Sequence, residues 1–590
     1  MRRLAVVTLM GMCASAQDGD GAALWKQQCA TCHNGEADSR AVALEALRSR
    51  TPESIVTALI SGSMRVQGSR VSGGGRRALA EYITGKRMAG DAIGATMGRC
   101  ADRPAFHPAG PAWNGWGADL SNTRYQPAAR AGLGAEQVPR LKVKWAFGFP
   151  DATLAWAQPA VVGGRVFVGS QNGTVYSLDA RTGCIYWTFS AAGGVRTAMT
   201  VGPRGAVYFG DTSANLYAVD GTTGEKIWSR KIEEHALARI TGSPALHEGR
   251  LYVPVSSYEE AQGADPKYEC CTFRGSLAAV DAAAGEVIWK TYTIDAQLQP
   301  RGKSSAGATL WGPSGAGIWS APTVDPKRGV VYAATGNTYS RPDQPASDAV
   351  LAFDLKTGRI LWTRPATPND TFLSGCRAAA NNPNCPSPNG PDFDFGNAPI
   401  LTRAAGRDAI VIGQKSGVGF ALDPDNEGAV LWQYRAGQGS ALGGMEWGSA
   451  VDGENAYFPV SDILRPQPGG LHAVRIETGE RVWHAPAPPL KCAAGRGCNA
   501  AQSAAITVIP GVVFSGSNDG ALRAYSTKDG TVLWEFDTNR EFETVNGVAA
   551  RGASMQGPGP VVAGGMVYVN SGYGMFGGRP GNVLLAFGVE

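Results

Sequence analysis

The 590-residue sequence predicts a mainly β protein, in which an eight-bladed β-propeller follows a small all-α domain. Two observations support this prediction. A short motif that ends in tryptophan recurs from Asp179 onward, at intervals that suit the blades of a propeller. Ahead of the repeats, apolar residues recur at helical spacing around a Cys-x-x-Cys-His motif.

The first 16 residues have the pattern of an export signal. Arg2 and Arg3 precede an apolar run from Leu4, and Ala14-Ser15-Ala16 has the small residues of a cleavage site, so that Gln17 would begin the mature chain. We therefore expect a periplasmic protein. No later run approaches about 18 uninterrupted apolar residues, which predicts no membrane span.

Residues 17–90 are expected to form the all-α domain. Cys29, Cys32 and His33 have the spacing that a covalently attached haem c requires, with two thiols for the haem vinyl groups and an imidazole for the iron. Zinc would need a second ligand pair, and there is no Cys or His between His33 and Cys100. Helical signals over 22–29, 52–60 and 75–85 resemble a class I cytochrome c.

The sixth ligand of such an iron is usually a methionine on a loop. Met64 follows the second helical segment and is the candidate, and Met88 and Met97 are the alternatives. Residues 91–112, with three prolines and Cys100, are expected to be a linker.

From residue 113 to 590 the sequence predicts the propeller. The motif Asp-x-x-Thr-Gly-x-x-x-Trp runs from Asp179 to Trp187 and recurs with variations. With Trp145 the set contains eight tryptophans, spaced by 41 to 73 residues: Trp145, Trp187, Trp228, Trp289, Trp362, Trp432, Trp483 and Trp534. A unit of four strands cannot bury both faces alone, so eight units should stack radially.

The motif also predicts how the blades are joined. Asp and Gly suit a tight turn, while Trp offers an apolar plate between neighbouring sheets and an indole N–H for a carbonyl. No tryptophan follows the strand-like run 583–587, and no such run precedes Trp145. The two ends of the propeller should therefore share one blade.

Bulk properties exclude some functions and leave disulfides open. The formal net charge of +4 is too balanced to indicate nucleic-acid binding. Without Cys13 and the two haem cysteines, eight cysteines remain, enough for four disulfides in an oxidising compartment. Cys376 and Cys385 are close in sequence, as are Cys492 and Cys498, whereas Cys100 with Cys184 follows only by elimination.

The propeller region resembles the quinoprotein alcohol dehydrogenases, and among them those that act on polyvinyl alcohol. Residues 113–125 and 268–275, and a haem domain that precedes the propeller, support the resemblance. It implies a propeller that holds pyrroloquinoline quinone (PQQ) and Ca²⁺ on its axis, with haem c as a third cofactor.

The resemblance assigns residues to that site. Trp319, eighteen residues before Asn337, matches the tryptophan that stacks on PQQ, and Asn337 matches a calcium ligand. Asp370 matches the catalytic aspartate, which also binds calcium. Lys415 matches a basic residue that faces the quinone carbonyls. Calcium prefers such hard oxygen ligands.

Further matches surround these four. Thr241 and Ser257 match hydroxyls that bind PQQ carboxylates, and Arg196 offers a guanidinium for the same groups. Glu260 is the candidate for a second calcium carboxylate, with Glu259 and Glu269 as rivals.

Two features depart from the family pattern. The adjacent Cys270 and Cys271 match a disulfide that stacks on PQQ, but one blade later than in well-known members, and we expect it to approach the cofactor. Gln502 and Glu446 stand where many members have Trp and Asn, which predicts a more open, polar mouth.

The expected function is oxidation of secondary hydroxyls of polyvinyl alcohol or a related polyol to ketones, with electrons passing from PQQ to haem c and then to an external cytochrome or other acceptor. Two alternatives remain. One is a PQQ dehydrogenase of small alcohols or sugars, and the other is a propeller scaffold that carries a cytochrome module but no enzyme activity.

Overall fold

The computed structural model describes residues 20–35, 41–60, 63–68, 71, 73–88, 91, 93–378, 384–493, 495 and 497–589. The expected signal peptide, residues 1–16, lies outside this part. In the described residues, no helix has both the length and the apolar character needed to cross a membrane.

The amino-terminal region is helical, as the CxxCH context predicts. Its helices are α1 (Gly21–Gln28), α2 (Leu44–Arg48), α3 (Pro52–Ile60), α4 (Arg65–Gly68) and α5 (Gly73–Thr84). The Asp20 carboxylate caps α1 by accepting from the N–H groups of Ala22 and Ala23. Trp25, Leu59 and Leu79, from α1, α3 and α5, are buried together in the core. The structure adds α2 and α4 to the three helices that periodicity predicts, because both are too short to show a period.

The remainder is a ring of eight antiparallel sheets, each with four blade strands and the third with the short strand Ala238–Arg239 in addition, which confirms the predicted propeller. The first four blades, each from its innermost to its outermost strand, are Ala160–Val162, Arg165–Gly169, Thr174–Asp179 and Ile185–Ser190; Thr200–Val201, Ala206–Gly210, Asn215–Asp220 and Lys226–Lys231; Ala245–His247, Arg250–Ser257, Ser276–Asp281 and Val287–Tyr292; and Thr323–Asp325, Val330–Ala334, Ala349–Asp354 and Ile360–Pro365.

The last four blades follow in the same order. They are Ile400–Ala404, Arg407–Gly413, Val418–Asp423 and Ala429–Arg435; Ala450–Val451, Asn455–Pro459, Leu471–Arg475 and Arg481–Ala485; Thr507–Ile509, Val512–Gly516, Ala521–Ser526 and Val532–Asp537; and Val561–Ala563, Met566–Ser571, Val583–Gly588 and Lys142–Gly148.

Blade 8 joins the two ends of the propeller, as predicted. Its outermost strand, Lys142–Gly148, comes from the beginning of the ring and pairs antiparallel with Val583–Gly588 at the end. This pairing closes the ring through main-chain hydrogen bonds and leaves no open blade.

Shorter elements lie in the loops. They are α6 (Ala128–Ala131), α7 (Glu259–Gln262), the 3₁₀ turns Val138–Arg140 and Ser374–Ala378, and the strands Ala238–Arg239, Gln299–Lys303, Thr309–Gly312, Ser314–Gly315, Thr338–Ser340, Glu541–Phe542 and Ala550–Arg551.

The repeated Trp and Gly join neighbouring blades. The Trp145 indole N–H donates to the Ala180 carbonyl of the next blade at 3.2 Å. Gly183 of that blade has a φ of +75°, and a Cβ there would lie 2.7 Å from the Trp145 ring. Glycine is required because the turn is left-handed and faces the indole. The same N–H to carbonyl contact recurs at Trp187, Trp228, Trp432 and Trp483.

Residues 113–126, the axial segment, cross one face of the ring. Main-chain or side-chain hydrogen bonds join this segment to the innermost strands of blades 1, 2, 4, 5, 6, 7 and 8. Arg124 anchors it, because its buried guanidinium lies over the rings of Trp113 and Trp116 and donates to the Ile506 carbonyl at 2.6 Å. Blade 3 is the exception, and a cleft of about 830 Å³ lies between blades 2 and 3 on this face.

Candidate active site

A cavity of about 540 Å³, the axial cavity, lies at the opposite end of the ring axis from the axial segment. Its walls are the loops that precede innermost strands and those that link second to third strands, so several blades contribute. Seven of the side chains that the sequence assigned to the site line it: Arg196, Thr241, Ser257, Glu260, Trp319, Asn337 and Lys415.

Trp319 provides a flat apolar surface in the cavity. Its ring is only partly buried, and its edge packs on Gly396, where a Cβ would lie 2.2 Å from the indole. Trp447 meets it edge-on, with the ring centroids 5.1 Å apart, and the Lys415 ammonium lies 5.4 Å from the ring centroid. An indole held in this way fits a planar conjugated cofactor stacked on its exposed face.

Three carboxylates meet beside this surface. Oxygen atoms of Glu260, Asp392 and Asp394 all lie within 4.8 Å of one another, close enough to share one cation. Asn337 is adjacent, since its backbone N–H donates to Asp394 Oδ1 at 2.8 Å. The Asn337 amide nitrogen donates to the Thr338 and Phe372 carbonyls, which leaves its side-chain oxygen as the ligand atom. This donor set fits Ca²⁺.

Lys415 bridges two of these carboxylates. Its Nζ lies 3.0 Å from Asp392 Oδ1 and 2.8 Å from Asp394 Oδ2, and all three side chains are buried. Burial alone would lower the pKa of Lys415, but the two carboxylates raise it well above its usual value, so the ammonium stays charged. Burial raises the pKa of Asp392 well above its usual value, and Lys415 opposes that shift.

The structure does not bring Asp370 into the cavity wall. Its side chain is fully buried behind the wall, where Oδ2 accepts from the Phe393 N–H at 2.8 Å and Oδ1 from the Asp392 N–H at 3.3 Å. Asp370 therefore supports the loop that carries Asp392 and Asp394. The sequence assignment missed these two residues, although an Asp-x-Asp pair between a Pro- and Asn-rich loop and the innermost strand of blade 5 was a usable signal.

The opposite side of the cavity is cationic and rich in hydroxyl groups. Arg196 lies over the Trp447 ring at 4.1 Å, and Arg239, absent from the sequence assignment, lies over Tyr258 at 4.1 Å. Burial lowers the pKa of Arg239 to about 10, which leaves it charged at neutral pH. Thr241 Oγ1 lies 2.8 Å from Ser256 Oγ. Guanidinium and hydroxyl groups of this kind fit the carboxylates of an anionic cofactor.

Glu446 adds a carboxyl group that makes no hydrogen bond through its buried Oε2. It lines the cavity with 7% of its surface exposed, and burial raises its pKa to about 7. Gln502 lies elsewhere, because its amide donates to Ser515 and Tyr525 between strands of blade 7. The loop Gly574–Phe576 takes part in the cavity wall instead.

The described residues form four disulfides, with the pairings expected from the sequence: Cys100–Cys184, Cys270–Cys271, Cys376–Cys385 and Cys492–Cys498. The Cys270–Cys271 pair does not line the cavity. Both residues are buried in the core between blades 2 and 3, beneath Gly263, where a Cβ would lie within 2.9 Å of either sulfur. The chain following α7 covers the disulfide.

The helical region contains the residues that could hold a haem. Cys29 and Cys32 are the described cysteines that form no disulfide. His33 Nδ1 lies 2.5 Å from the Val42 carbonyl, so the Nε2 atom is the one available to iron. Met64 packs against the same helical core, whereas Met97 lies beside Gly547 of the propeller. Met88 is also buried in that core and remains an alternative ligand.

Two family models match different regions of the chain. Residues 116–369, 274–491 and 467–587 match a family model described as outer membrane protein assembly factor BamB. Residues 16–83 match a model described as cytochrome c oxidase, cbb3-type, subunit III.

Two curated relatives match almost the whole chain. Polyvinylalcohol dehydrogenase of a Pseudomonas species is 44% identical over 97% of this chain and 94% of its own length. The enzyme of the same name from Sphingopyxis sp. strain 113P3 is 38% identical over 98% of this chain and 94% of its own. Among solved structures, quinohemoprotein alcohol dehydrogenase ADHIIG of Pseudomonas putida HK5 matches with a TM-score of 0.63 at 18% identity, over 83% of each chain, and supports the fold alone.

Proposed function

Because the chain belongs to the polyvinyl alcohol dehydrogenases, a group within the PQQ-dependent quinohaemoprotein alcohol dehydrogenases, we propose that it oxidises secondary hydroxyls of polyvinyl alcohol or a related polyol to ketones. The protein is an oxidoreductase with PQQ and haem c as cofactors. The observation that carries the proposal is the meeting of Trp319 with the carboxylates of Glu260, Asp392 and Asp394 in one axial cavity.

Residues of the cavity divide into three roles. Trp319 would hold the flat face of PQQ, while Arg196 and Arg239, with Thr241 and Ser257, would bind its carboxylates. Glu260, Asn337, Asp392 and Asp394 would bind Ca²⁺. When bound, PQQ takes up two electrons with the hydrogen of the carbinol carbon, calcium polarises the reacting oxygens, and haem c accepts the electrons singly.

We propose Asp392, in the role first assigned to Asp370, as the group that accepts the proton of the substrate hydroxyl. It lines the cavity, whereas both oxygens of Asp370 already accept backbone N–H groups. A carboxylate that reaches both metal and hydroxyl can remove the proton as hydride leaves the neighbouring carbon. The Lys415 ammonium, held by Asp392 and Asp394, would stabilise negative charge that develops in the cavity.

Glu446 supports a polyhydroxylated substrate. Glu446 lines the cavity and its buried Oε2 makes no hydrogen bond, so rotation of the carboxyl group into the cavity would let it accept one from a second hydroxyl of the same substrate. Successive hydroxyls of polyvinyl alcohol stand on alternate carbons, and such a pair can occupy the metal site and Glu446 together. A small monohydric alcohol leaves Glu446 unused.

We further propose that the protein is exported to the periplasm through residues 1–16 and that the haem passes its electrons to an external cytochrome. Four disulfides support an oxidising compartment. Tethering both redox sites to one chain keeps them at high effective concentration.

The deciding experiment is dye-linked oxidation of polyvinyl alcohol by purified protein reconstituted with PQQ and Ca²⁺. We expect activity that needs both additions and is lost with a chelator. Pentane-2,4-diol and pentan-2-ol serve as comparison substrates, and the diol should have the higher kcat/KM. Activity on pentan-2-ol alone would contradict the polyol assignment, and no activity on any alcohol would contradict the enzyme role.

A further inference from the structure

One arginine connects the helical domain to the propeller. Arg76, on α5, has only 4% of its surface exposed although it lies between the two parts of the chain. Its Nη1 donates to the Gly68 carbonyl at 3.1 Å and its Nη2 to the Gln171 carbonyl of blade 1 at 2.8 Å. A single guanidinium therefore binds one main-chain oxygen from each domain.

On the haem side, this contact reaches the segment that carries Met64. Gly68 ends α4, and its N–H donates to the Met64 carbonyl at 2.8 Å. Arg76 thus fixes the turn that presents the proposed sixth iron ligand.

On the propeller side, the contact leads to the cavity wall. Gln171 Oε1 accepts from the N–H groups of Thr153 and Leu154 at 2.9 and 3.1 Å. The Thr153 carbonyl in turn accepts from the Gly574 N–H at 3.1 Å, and Gly574 lines the axial cavity. A continuous series of hydrogen bonds therefore runs from the Met64 turn to the wall of the PQQ site.

A second contact lies beside the first. Arg77 Nη1 is 3.7 Å from Asp151 Oδ2, in the loop that contains Thr153, and both side chains are largely buried. The Arg77 Nε atom also lies 3.4 Å from Glu81 of its own helix. Arg76 donates to a main-chain carbonyl of each domain, so it fixes one domain against the other, and the Arg77–Asp151 pair reinforces this contact.

We propose that Arg76 is the positioning residue for electron transfer between the two cofactors, because it docks the Met64 side of the haem domain against the loop 150–155 that adjoins the cavity. This inference rests on the proposed function. The rate of electron transfer between two fixed centres falls steeply as the distance between them grows. A planar guanidinium group bound to two carbonyls holds that distance constant. A lysine at this position would keep the positive charge but not the planar set of N–H donors that binds two carbonyls at once.

The test uses the full-length protein loaded with haem, PQQ and Ca²⁺, with Arg76→Lys and Arg76→Ala as variants. Stopped-flow mixing with alcohol should show haem reduction slowed roughly tenfold or more. Oxidation coupled to a dye that accepts electrons directly from the quinone should be unchanged, and so should the near-infrared methionine-to-iron band of the haem. Arg87→Lys, at an exposed position of the same domain, is the matched control and should behave as wild type.

A second readout needs no turnover. In protein loaded with haem alone, hydrogen exchange of residues 150–155 should be faster in the Arg76 variants and unchanged in Arg87→Lys. Asp151→Asn weakens the docking from the propeller side without altering the haem domain, so it should slow haem reduction to a smaller extent and remains available if an Arg76 variant does not fold.

Three results would overturn the inference. The first is haem reduction at the wild-type rate in both Arg76 variants. The second is slow reduction together with loss of the methionine-to-iron band, which would make Arg76 only a support for the Met64 turn. The third is unchanged exchange in residues 150–155. Failure of the dye-coupled reaction in wild-type protein would instead contradict the proposed function, and the exchange result would still decide the docking role.

Discussion

Asp370 and Asp392 are neighbours in space, yet their surroundings give them different chemistry. Both Asp370 oxygens accept N–H groups of the loop that carries Asp392, and Asp370 does not line the cavity. Asp392 lines the cavity and contacts the Lys415 ammonium at 3.0 Å. Position relative to the cavity, more than residue type, decides which of them can receive a proton from substrate.

Substitution of the two residues should separate these roles. Asp392→Asn should lower kcat by roughly a hundredfold or more, since it removes the proposed proton acceptor while Asp394 still pairs with Lys415. Asp370→Asn should lower the free energy of unfolding by about 1–3 kcal/mol, because the amide keeps one acceptor oxygen for two N–H groups. Steady-state kinetics and thermal melts on both variants check this. Equal loss of kcat in two equally stable variants would restore Asp370 as the base.

Glu446 predicts a pH dependence of stability in the protein without cofactors. Its folded-state pKa of about 7 lies above its usual value of 4.5, since burial penalises the charged form. The neutral form is therefore favoured on folding, so its contribution is complete below pH 4.5 and is lost as pH rises through 7. The groups that face it are Lys415, Asp394 and Arg196.

Glu446→Gln should remove this dependence. Between pH 4.5 and 7, wild type should lose up to a few kcal/mol of stability relative to the variant, measured by urea unfolding at each pH. With cofactors bound, the variant should also lose the preference for pentane-2,4-diol over pentan-2-ol roughly tenfold, because the carboxyl group proposed to bind the second hydroxyl is gone. Parallel pH curves for the two proteins would show that Glu446 ionises normally.

At the scale of a blade, the contact between Trp and the glycine of the next repeat is the recurring element. Gly183→Ala and Gly164→Ala form a matched pair, since both glycines lie in blade 1 with φ of +75° and +74°. A Cβ at Gly183 would lie 2.7 Å from the Trp145 ring, whereas one at Gly164 would meet nothing within 4 Å.

Both alanine variants should lose about 1–2 kcal/mol through backbone strain, and Gly183→Ala a further 1–3 kcal/mol through overpacking against the indole. Urea unfolding gives both values. If the two variants were equally destabilised, the indole contact would contribute nothing to the stacking of blades.

Sequence alone predicts the blades but not the loops that form the cavity. Strand positions, turns and the shared eighth blade follow from a repeated motif whose every member has a local physical reason, so they were predictable. The loop that carries Asp392 and Asp394 belongs to no repeat, and its course depends on distant contacts such as Asp370 with the Asp392 N–H. The placement of Cys270–Cys271 outside the cavity wall likewise depends on the chain after α7, which no periodicity describes.

At the scale of the whole molecule, ring closure depends on one pair of strands. Residues 142–148 are covered on their inner side only by Val583–Gly588, so a chain that ends at residue 582 would expose the edges of two blade-8 strands. We expect this truncated chain to aggregate and to bind no PQQ, as measured by gel filtration and quinone fluorescence. A monomeric truncated protein with a cooperative melt would show that the other blades hold the ring closed without this pairing.

The axial segment has a consequence for how a long substrate is used. Residues 113–126 are hydrogen-bonded to seven of the eight innermost strands and close that end of the axis, so we expect substrate and product to use the opening of the axial cavity. A polymer cannot be threaded through a tunnel with one exit blocked. The proposed polymer substrate would have to bend a short stretch inward and withdraw it after each oxidation, so we expect ketones at internal positions scattered along the polymer and no advance from its ends.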